Sequence, residues 1–265
     1  PTLAMKAPCL RPLGRLAALL LTSLFALQLY FVARIALMAV IDPQSTTFQR
    51  SEVWRLLTER GRIEWSQQWV DDARIAATLK RAVIASEDAA FTEHAGVDWD
   101  ALERAWERNQ RAEAQAERRN ERIELQTRRN GGAAPRETAR VTPKVVGGST
   151  ITQQLAKNLF LSSERTPLRK AQEFVLTLTL EALLGKRRIL EIYLNNVEWG
   201  EGLFGVQAAA RHYYRIDASQ LGAFPAARLA VMLPAPKRFE RRPASPYVTG
   251  RATVVVARMS AVELP

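Results

Sequence analysis

The sequence predicts an all-α protein in which one membrane-spanning helix precedes a single helical domain. Apolar residues recur at helical spacing through most of the chain, as at Ile75, Leu79 and Val83. No segment alternates like a strand over a comparable length, although the β-branched run at 253–256 fits either structure. The 265 residues suffice for one substantial core and a small appendage, but not for two full catalytic domains.

An uncharged apolar stretch near the N-terminus predicts the membrane helix. No residue from 16 to 33 is charged and the apolar run resumes after Arg34, which makes it long enough to cross a bilayer. Lys6, Arg11 and Arg15 precede it, so the positive-inside rule directs the N-terminus to the cytoplasm. A cleaved signal peptide fits less well, because its apolar stretch is shorter and ends at a small-residue cleavage site. The predicted divisions are a cytoplasmic segment at 1–15, a transmembrane helix at 16–41 and an external domain at 42–265.

The charge balance predicts an anionic partner. Lys and Arg total 38 against 27 acids, a net charge of +11, which suits phospholipid, nucleic acid or a phosphorylated substrate. Cys9 is the only cysteine, which excludes an intramolecular disulfide and zinc sites of the Cys/His type. The two histidines cannot make a metal site alone, whereas a divalent cation held by carboxylates stays open.

Two segments outside the apolar core are also predicted to be helical. Aromatic and apolar spacing in 48–69 indicates a helix or helical turn that packs near the membrane. The segment Glu103–Arg129 has scarcely an apolar stripe and reads as a solvated helix, followed by a break at 131–135. An exposed insertion is favoured over a nucleic-acid arm, since acids are interleaved and Trp106 is its only aromatic residue.

Glu87 is the first residue that could carry chemistry. On a helix it lies three and four residues after Ile84 and Val83, on the apolar inward side, where desolvation raises the pKa of a carboxyl. Such a carboxylate can take a proton from a sugar hydroxyl near neutral pH. A helix-end acid bonded to backbone or arginine fits this segment equally well. His94, seven residues on, is interpreted as a structural hydrogen-bonding residue.

A second cluster begins with a glycine turn at 147–148. Ser149 or Thr150 is suited to cap the helix that follows, and Gln153, Gln154 and Lys157 then fall in its first turns, where anions are favoured. The glutamine pair has no evident capping role, which favours function over a polar surface helix. No Gly-Lys-Ser/Thr ending is present, so a nucleotide P-loop is not supported. Lys157, with Arg165 and Arg169, could neutralise a pyrophosphate leaving group.

Glu173 opens a strongly apolar helix. A lone acid at this place often serves only as a partner for the helix dipole. Beside Glu87 it would form a cleft with two carboxylates, the arrangement common among enzymes that act on glycosidic bonds.

Five ordered blocks together resemble the glycosyltransferase domain of peptidoglycan synthases. The chain length and single anchor resemble its monofunctional biosynthetic form in Gram-negative bacteria. The blocks are EDAAFTEHAG at 87–96, GSTITQQLAKN at 148–158, RKAQE at 169–173, ILEIYLN at 189–195 and GLFGVQAAAR at 202–211. They cover most of 76–236, and the resemblance implies a lysozyme-like, two-lobed helical fold divided by a cleft.

The resemblance also implies a mechanism. Glu87 would be the general base that deprotonates the 4-hydroxyl of the acceptor sugar in lipid II. That oxygen would attack the anomeric carbon of the growing chain, releasing undecaprenyl pyrophosphate with inversion and leaving a β-1,4 linkage. Lys157 and Arg165 would hold the pyrophosphate. Glu173 would orient them, or bind a divalent cation (Mg or Mn) beside Asp88. Residues that would line or support the cleft are Ser149, Thr150, Gln153, Gln154, Asn158, Lys170 and Asn195.

The partners implied by the resemblance are lipid II, the nascent glycan strand, lipids of the bacterial inner membrane, and proteins of cell division or elongation. It places the catalytic domain in the periplasm and implies no organic cofactor and no nucleic acid. Two departures stand out: the charged insertion at about 109–144, and Pro225 where relatives commonly carry an acid.

Two alternative functions are weighed. A lysozyme-like muramidase or lytic transglycosylase would share a catalytic glutamate, but would gain nothing from Lys157 and Arg165. A membrane-tethered scaffold with a vestigial cleft would have no reason to retain the acids at 87 and 173.

Overall fold

The computed structural model describes residues 10–129, 140–143, 147–162, 164 and 166–265. Over these residues the chain is predominantly helical, which confirms the predicted all-α class. The helices are α1 (Leu10–Leu37), α2 (Thr47–Arg55), α3 (Ala77–Glu87), α4 (Trp99–Arg129), α5 (Ile151–Phe160), α6 (Pro167–Leu183), α7 (Lys186–Asn196), α8 (Val206–Tyr214), α9 (Ala223–Met232), α10 (Pro236–Phe239) and α11 (Pro246–Met259). The strands are β1 (Ser66–Gln67), β2 (Glu198–Gly200) and β3 (Leu203–Phe204).

Helix α1 is the predicted membrane helix. Its segment Gly14–Leu37 has 24 residues and is long and apolar enough to span a bilayer. The helix ends at Leu37, four residues before the predicted boundary at 41. There the backbone N–H groups of Val40 and Ile41 both donate to the Leu37 carbonyl and turn the chain toward Pro43.

The remaining helices pack in two groups that share one core. Helices α3, α9 and α11 pack against one another, and α5 packs against α2, α6 and α7. Leu79 and Val83 of α3, with Leu155 and Leu159 of α5, are almost completely buried in this core. The grouping is consistent with the two lobes that the resemblance implies.

The segment 48–69 is only partly helical, which corrects the prediction. Helix α2 continues into a π-helical turn, Leu56–Arg60, and Gly61 ends it with a φ of 65°. Beyond it β1 pairs parallel with β3, which pairs antiparallel with β2. β1 lies more than 130 positions before β2 and β3 in the chain, so local spacing could not reveal its pairing. The ambiguous run at 253–256 lies within α11.

Helix α4 contains the predicted solvated helix Glu103–Arg129. Most of its side chains are exposed, and a narrow inward stripe includes Ala105, Ala116 and Asn120. The Asn120 carboxamide exchanges two hydrogen bonds with the backbone of Val141, at 2.8 and 3.1 Å. The charged helix therefore packs against the returning chain, while residues 130–139 and 144 of the predicted insertion lie outside the described residues.

Replacing Gly205 with alanine is expected to destabilise the fold by about 2 kcal/mol or more. Gly205 has a φ of 76°, and an added Cβ would lie 2.6 Å from the Asn195 carbonyl oxygen. Gly250, inside α11, is the matched control because a Cβ there meets open space. Gly250→Ala should stabilise by up to about 1 kcal/mol through helix propensity. Denaturant unfolding measures the stability of both variants. Equal effects of the two substitutions would contradict the steric requirement for glycine at position 205.

Candidate active site

A cleft of about 440 Å³ lies where α5 and α6 face α2, β2 and the connection between α9 and α10. Seven of the predicted site residues line it: Ser149, Gln153, Gln154, Lys157, Asn158, Lys170 and Glu173. Arg169, which was predicted to neutralise a pyrophosphate, lines it too. Residues that were not predicted also line it, namely Phe48, Ser51, Leu161, Ser162, Val197, Glu198, Leu233, Pro234 and Pro236. The cleft thus combines polar groups from two sequence blocks with a largely apolar opposite side.

The N-terminus of α5 is closed by a capping box. The Thr150 hydroxyl accepts from the Gln153 N–H at 3.2 Å, and the Gln153 carboxamide accepts from the Thr150 N–H at 3.1 Å. Of the two predicted capping residues, Ser149 and Thr150, Thr150 is the cap, whereas the prediction that the glutamine pair has no capping role was wrong for Gln153. Thr150 is buried and also donates to the Gly96 carbonyl at 2.6 Å, so it supports the cleft from behind.

Glu87, the last residue of α3, reaches the cleft through Gln154. Its Oε2 accepts a hydrogen bond from Gln154 Nε2 at 3.0 Å, and the Tyr193 hydroxyl donates to Gln154 Oε1 at 2.9 Å. As predicted from its inward position, burial raises the pKa of the Glu87 carboxyl. The hydrogen bonds from Gln154 and Ser86 oppose this shift, and the neighbouring Asp88 adds to it. Burial also raises the pKa of Tyr193 well above its usual range, which keeps its hydroxyl a donor.

Asp88 is a buried structural carboxylate and does not line the cleft. Its Oδ2 accepts from the Ile151 N–H at the start of α5, at 2.9 Å, and its Oδ1 lies 2.8 Å from His94 Nε2. The Gly96 N–H donates to His94 Nδ1 at 3.1 Å, so Nε2 carries the hydrogen and donates to Asp88. His94 has the structural role that was predicted for it.

The α6 end of the cleft is rich in cations. Glu173 is buried, and its two oxygens accept from Arg169 Nη1, at 2.9 Å, and from Lys170 Nζ. The buried Nε–H of Arg169 has no hydrogen-bond partner among the described residues. Lys157 adds another positive charge to the same cleft. The predicted pyrophosphate residue Arg165 lies outside the described residues.

The predicted cation ligands do not assemble a metal site by themselves. All four carboxylate oxygens of Asp88 and Glu173 accept hydrogen bonds from protein groups. Within the part of the chain that the structure describes, no group of three or more His, Cys, Asp or Glu side chains could hold a metal ion. The predicted cation therefore stays a proposal.

Asn195 supports the site but does not line the cleft. Its side chain is fully buried, accepts from the Val70 N–H and donates to the carbonyls of Val70 and Glu191, each at 2.9 Å. Of the two roles predicted for it, lining or supporting, the structure agrees with the second.

Glu198 is a cleft residue that the sequence did not reveal. It is only 6% exposed, its Oε1 lies 3.5 Å from Lys237 Nζ, and Lys237 is also paired with Glu52. Burial raises the pKa of Glu198 to about 7, against the lowering effect of Lys237, while Glu52 adds to the rise. The only hint in the sequence was its place three residues after the block at 189–195.

We expect Glu198→Gln to stabilise the protein above pH 7 and to lose that advantage near pH 4.5. Between its usual value of 4.5 and about 7, only the folded chain holds the proton. The stability that this proton contributes is therefore lost as the pH rises through about 7. Since tenfold in a protonation equilibrium is about 1.4 kcal/mol, the cost of ionisation in the folded state is at most about 3 kcal/mol.

Denaturant unfolding of both proteins from pH 4.5 to 8.5 measures this effect. Glu201→Gln is the control of opposite sign, because the Arg55 guanidinium lowers the pKa of Glu201. That variant should lose stability relative to the parent at high pH. If the difference in unfolding free energy between Glu198→Gln and the parent did not change with pH, the raised pKa of Glu198 would be contradicted.

Comparison with known proteins identifies the family. The sequence model of the transglycosylase family matches residues 55–119 and 126–260. The biosynthetic peptidoglycan transglycosylases of Burkholderia thailandensis and Burkholderia pseudomallei are each 48% identical over 240 residues, covering 91% of this chain and 82% of each relative. That of Burkholderia orbicola is 46% identical over 240 residues, covering 91% of this chain and 86% of the relative. These matches show that the chain belongs to the transglycosylase family.

Proposed function

We propose that this protein polymerises lipid II into β-1,4-linked glycan strands of peptidoglycan and releases undecaprenyl pyrophosphate. The observation that carries this proposal is a pair of acids in different environments, Glu173 lining the cleft and Glu87 bonded to the cleft residue Gln154. Glu87 is bonded to an uncharged amide, whereas Glu173 is held between two cations. A base and an anion-binding site are the two requirements for displacing a pyrophosphate with a sugar hydroxyl.

In the proposed reaction Glu87 removes the proton from the 4-hydroxyl of the acceptor sugar. The oxygen forms a bond to the anomeric carbon of the growing chain on the face opposite the pyrophosphate. The bond between that carbon and the phosphate oxygen breaks, its electron pair leaves with the pyrophosphate, and the configuration inverts. Gln154 holds the Glu87 carboxylate at the cleft, and its own orientation is held by Tyr193.

The leaving group is proposed to bind where Lys157, Arg169 and Lys170 line the cleft. The buried Nε–H of Arg169, which has no partner among the described residues, is a donor suited to a phosphate oxygen. Arg165 is proposed to join them. A lysozyme-like hydrolase would need no such group of cations, which favours the polymerase. A divalent cation, Mg²⁺ or Mn²⁺, would add positive charge near Glu173 and take most of its ligands from the pyrophosphate.

The proposed location is the bacterial inner membrane, with the catalytic domain in the periplasm. Helix α1 supplies one apolar span, and the basic residues that precede it favour a cytoplasmic N-terminus. The partners are then lipid II, the nascent strand and the lipids around α1. Proteins of cell division or elongation stay proposed partners, for which the exposed charged surface of α4 is the available contact site.

Glu87→Gln should abolish strand formation, with a loss of at least about a hundredfold in kcat, because the amide cannot accept the hydroxyl proton. The assay is glycan formation from purified lipid II by the protein in detergent or nanodiscs. The carboxamide keeps the size of the side chain, so the thermal midpoint should stay near that of the parent. Strands formed at the parental rate by this variant would exclude Glu87 as the base, and no strands from the folded parent would overturn the proposed function.

Gln154→Leu should move the acid limb of the pH profile of kcat/KM to higher pH. Its hydrogen bond stabilises ionised Glu87, so losing it raises the pKa of Glu87 further, and the base becomes active only at higher pH. Activity at neutral pH should fall and recover as the pH rises. Tyr213→Phe is the control, because this hydroxyl donates to the Trp199 carbonyl instead. An unshifted limb in Gln154→Leu would show that Gln154 does not tune the base.

A further inference from the structure

The membrane helix and the catalytic domain are joined by a pair of glutamines 144 residues apart in the chain. Gln28 Nε2 donates to Gln172 Oε1 at 3.0 Å, and Gln172 Nε2 donates back to Gln28 Oε1 at 3.2 Å. Gln28 belongs to the apolar span and Gln172 to α6, and the two helices are in contact. Each carboxamide is thus both donor and acceptor in one reciprocal contact.

The same face of α1 continues to contact the domain toward its C-terminal end. Phe31 packs edge-on against Phe160, with the ring centroids 5.4 Å apart, and Ile35 is fully buried. Arg188 closes the face by donating to the Met38 carbonyl at 2.8 Å. Apolar contacts of this kind tolerate sliding and rotation, whereas a polar pair between two helices fixes their register.

Gln28 lies inside the apolar segment Gly14–Leu37, and the hydrogen bonds between the two glutamines are partly buried. On α6 the side chains of Leu168, Val175 and Leu178 are exposed and apolar, as lipid contact requires. An amide beside apolar side chains and lipid has few alternative hydrogen-bond partners, which favours the reciprocal contact between the two glutamines.

The position of Gln172 in α6 connects this contact to the chemistry. It directly precedes Glu173, and Arg169 and Lys170 lie within one turn of it. The pyrophosphate of a lipid-linked substrate is confined to a fixed depth by its own lipid. The cations that receive it must therefore be held at that depth, and the helix that carries them must not shift along the membrane normal.

We propose that Gln28 and Gln172 are positioning residues, whose reciprocal amide contact fixes α6 against the membrane helix so that its cationic turn meets the pyrophosphate of the lipid-linked substrate. The inference rests on the proposed function and deepens it. In this proposal helix α1 positions the cationic residues of the cleft and also anchors the domain in the membrane.

The first test is a double-mutant cycle on the full chain in nanodiscs, with lipid II as substrate. Gln28→Leu and Gln172→Leu should each lower kcat/KM about tenfold. The double variant should lose no more than either single one, because both singles break the same contact. Thr22→Val is the matched control within the span, since its hydroxyl bonds only to carbonyls of its own helix. It should retain the parental rate.

The second test separates positioning from a general loss of structure. In a Cys9→Ser background, Gln28→Cys with Gln172→Cys should be slow, and a short bifunctional thiol reagent that joins the two cysteines should restore most of the rate. With an active parent, three results would each overturn the inference. These are parental rates in the leucine variants, a double variant whose fold-loss in kcat/KM is the product of the two single fold-losses, and a cross-linked cysteine variant that stays slow. An inactive parent would overturn the proposed function as well.

Discussion

The site depends on one buried carboxylate, Asp88. Its two oxygens join the end of α3, the loop at His94 and the first N–H of α5, which brings the blocks at 87–96 and 148–158 together. A charge-assisted bond to a helix N-terminus is among the stronger hydrogen bonds in a protein, and burial makes its loss costly. Glu87 and Gln154 flank this junction, so the contact between base and amide follows from it.

Two acids then receive opposite environments within the same domain. Glu87 has an amide and a hydroxyl for partners, and burial raises its pKa, which suits a group that must accept a proton. Glu173 is also buried, but Arg169 and Lys170 compensate its charge and are held in place by it. One carboxylate is left reactive, while the other organises cations. This division follows from the neighbours of each acid, since the side chains are identical.

Local sequence patterns were enough to predict several of these features. The apolar run determined α1, helical spacing determined the class, and the hydroxyl before residues 151–160 determined the cap of α5. The inward side of α3 was enough to predict the raised pKa of Glu87. Each of these depends on residues within a few turns of one another, which is the range over which spacing is informative.

Other features were decided only by tertiary contact. Glu198 enters the cleft and acquires its pKa from burial near Lys237, which is 39 positions away, and β1 exists only because β3 pairs with it. The Gln28–Gln172 contact joins elements that no periodicity relates. The sequence by itself determined the membrane helix, the helical class and the blocks that carry the chemistry. Only the folded chain decided which of those residues face the cleft and which support it, because burial and partnership depend on what the rest of the chain brings to each side chain.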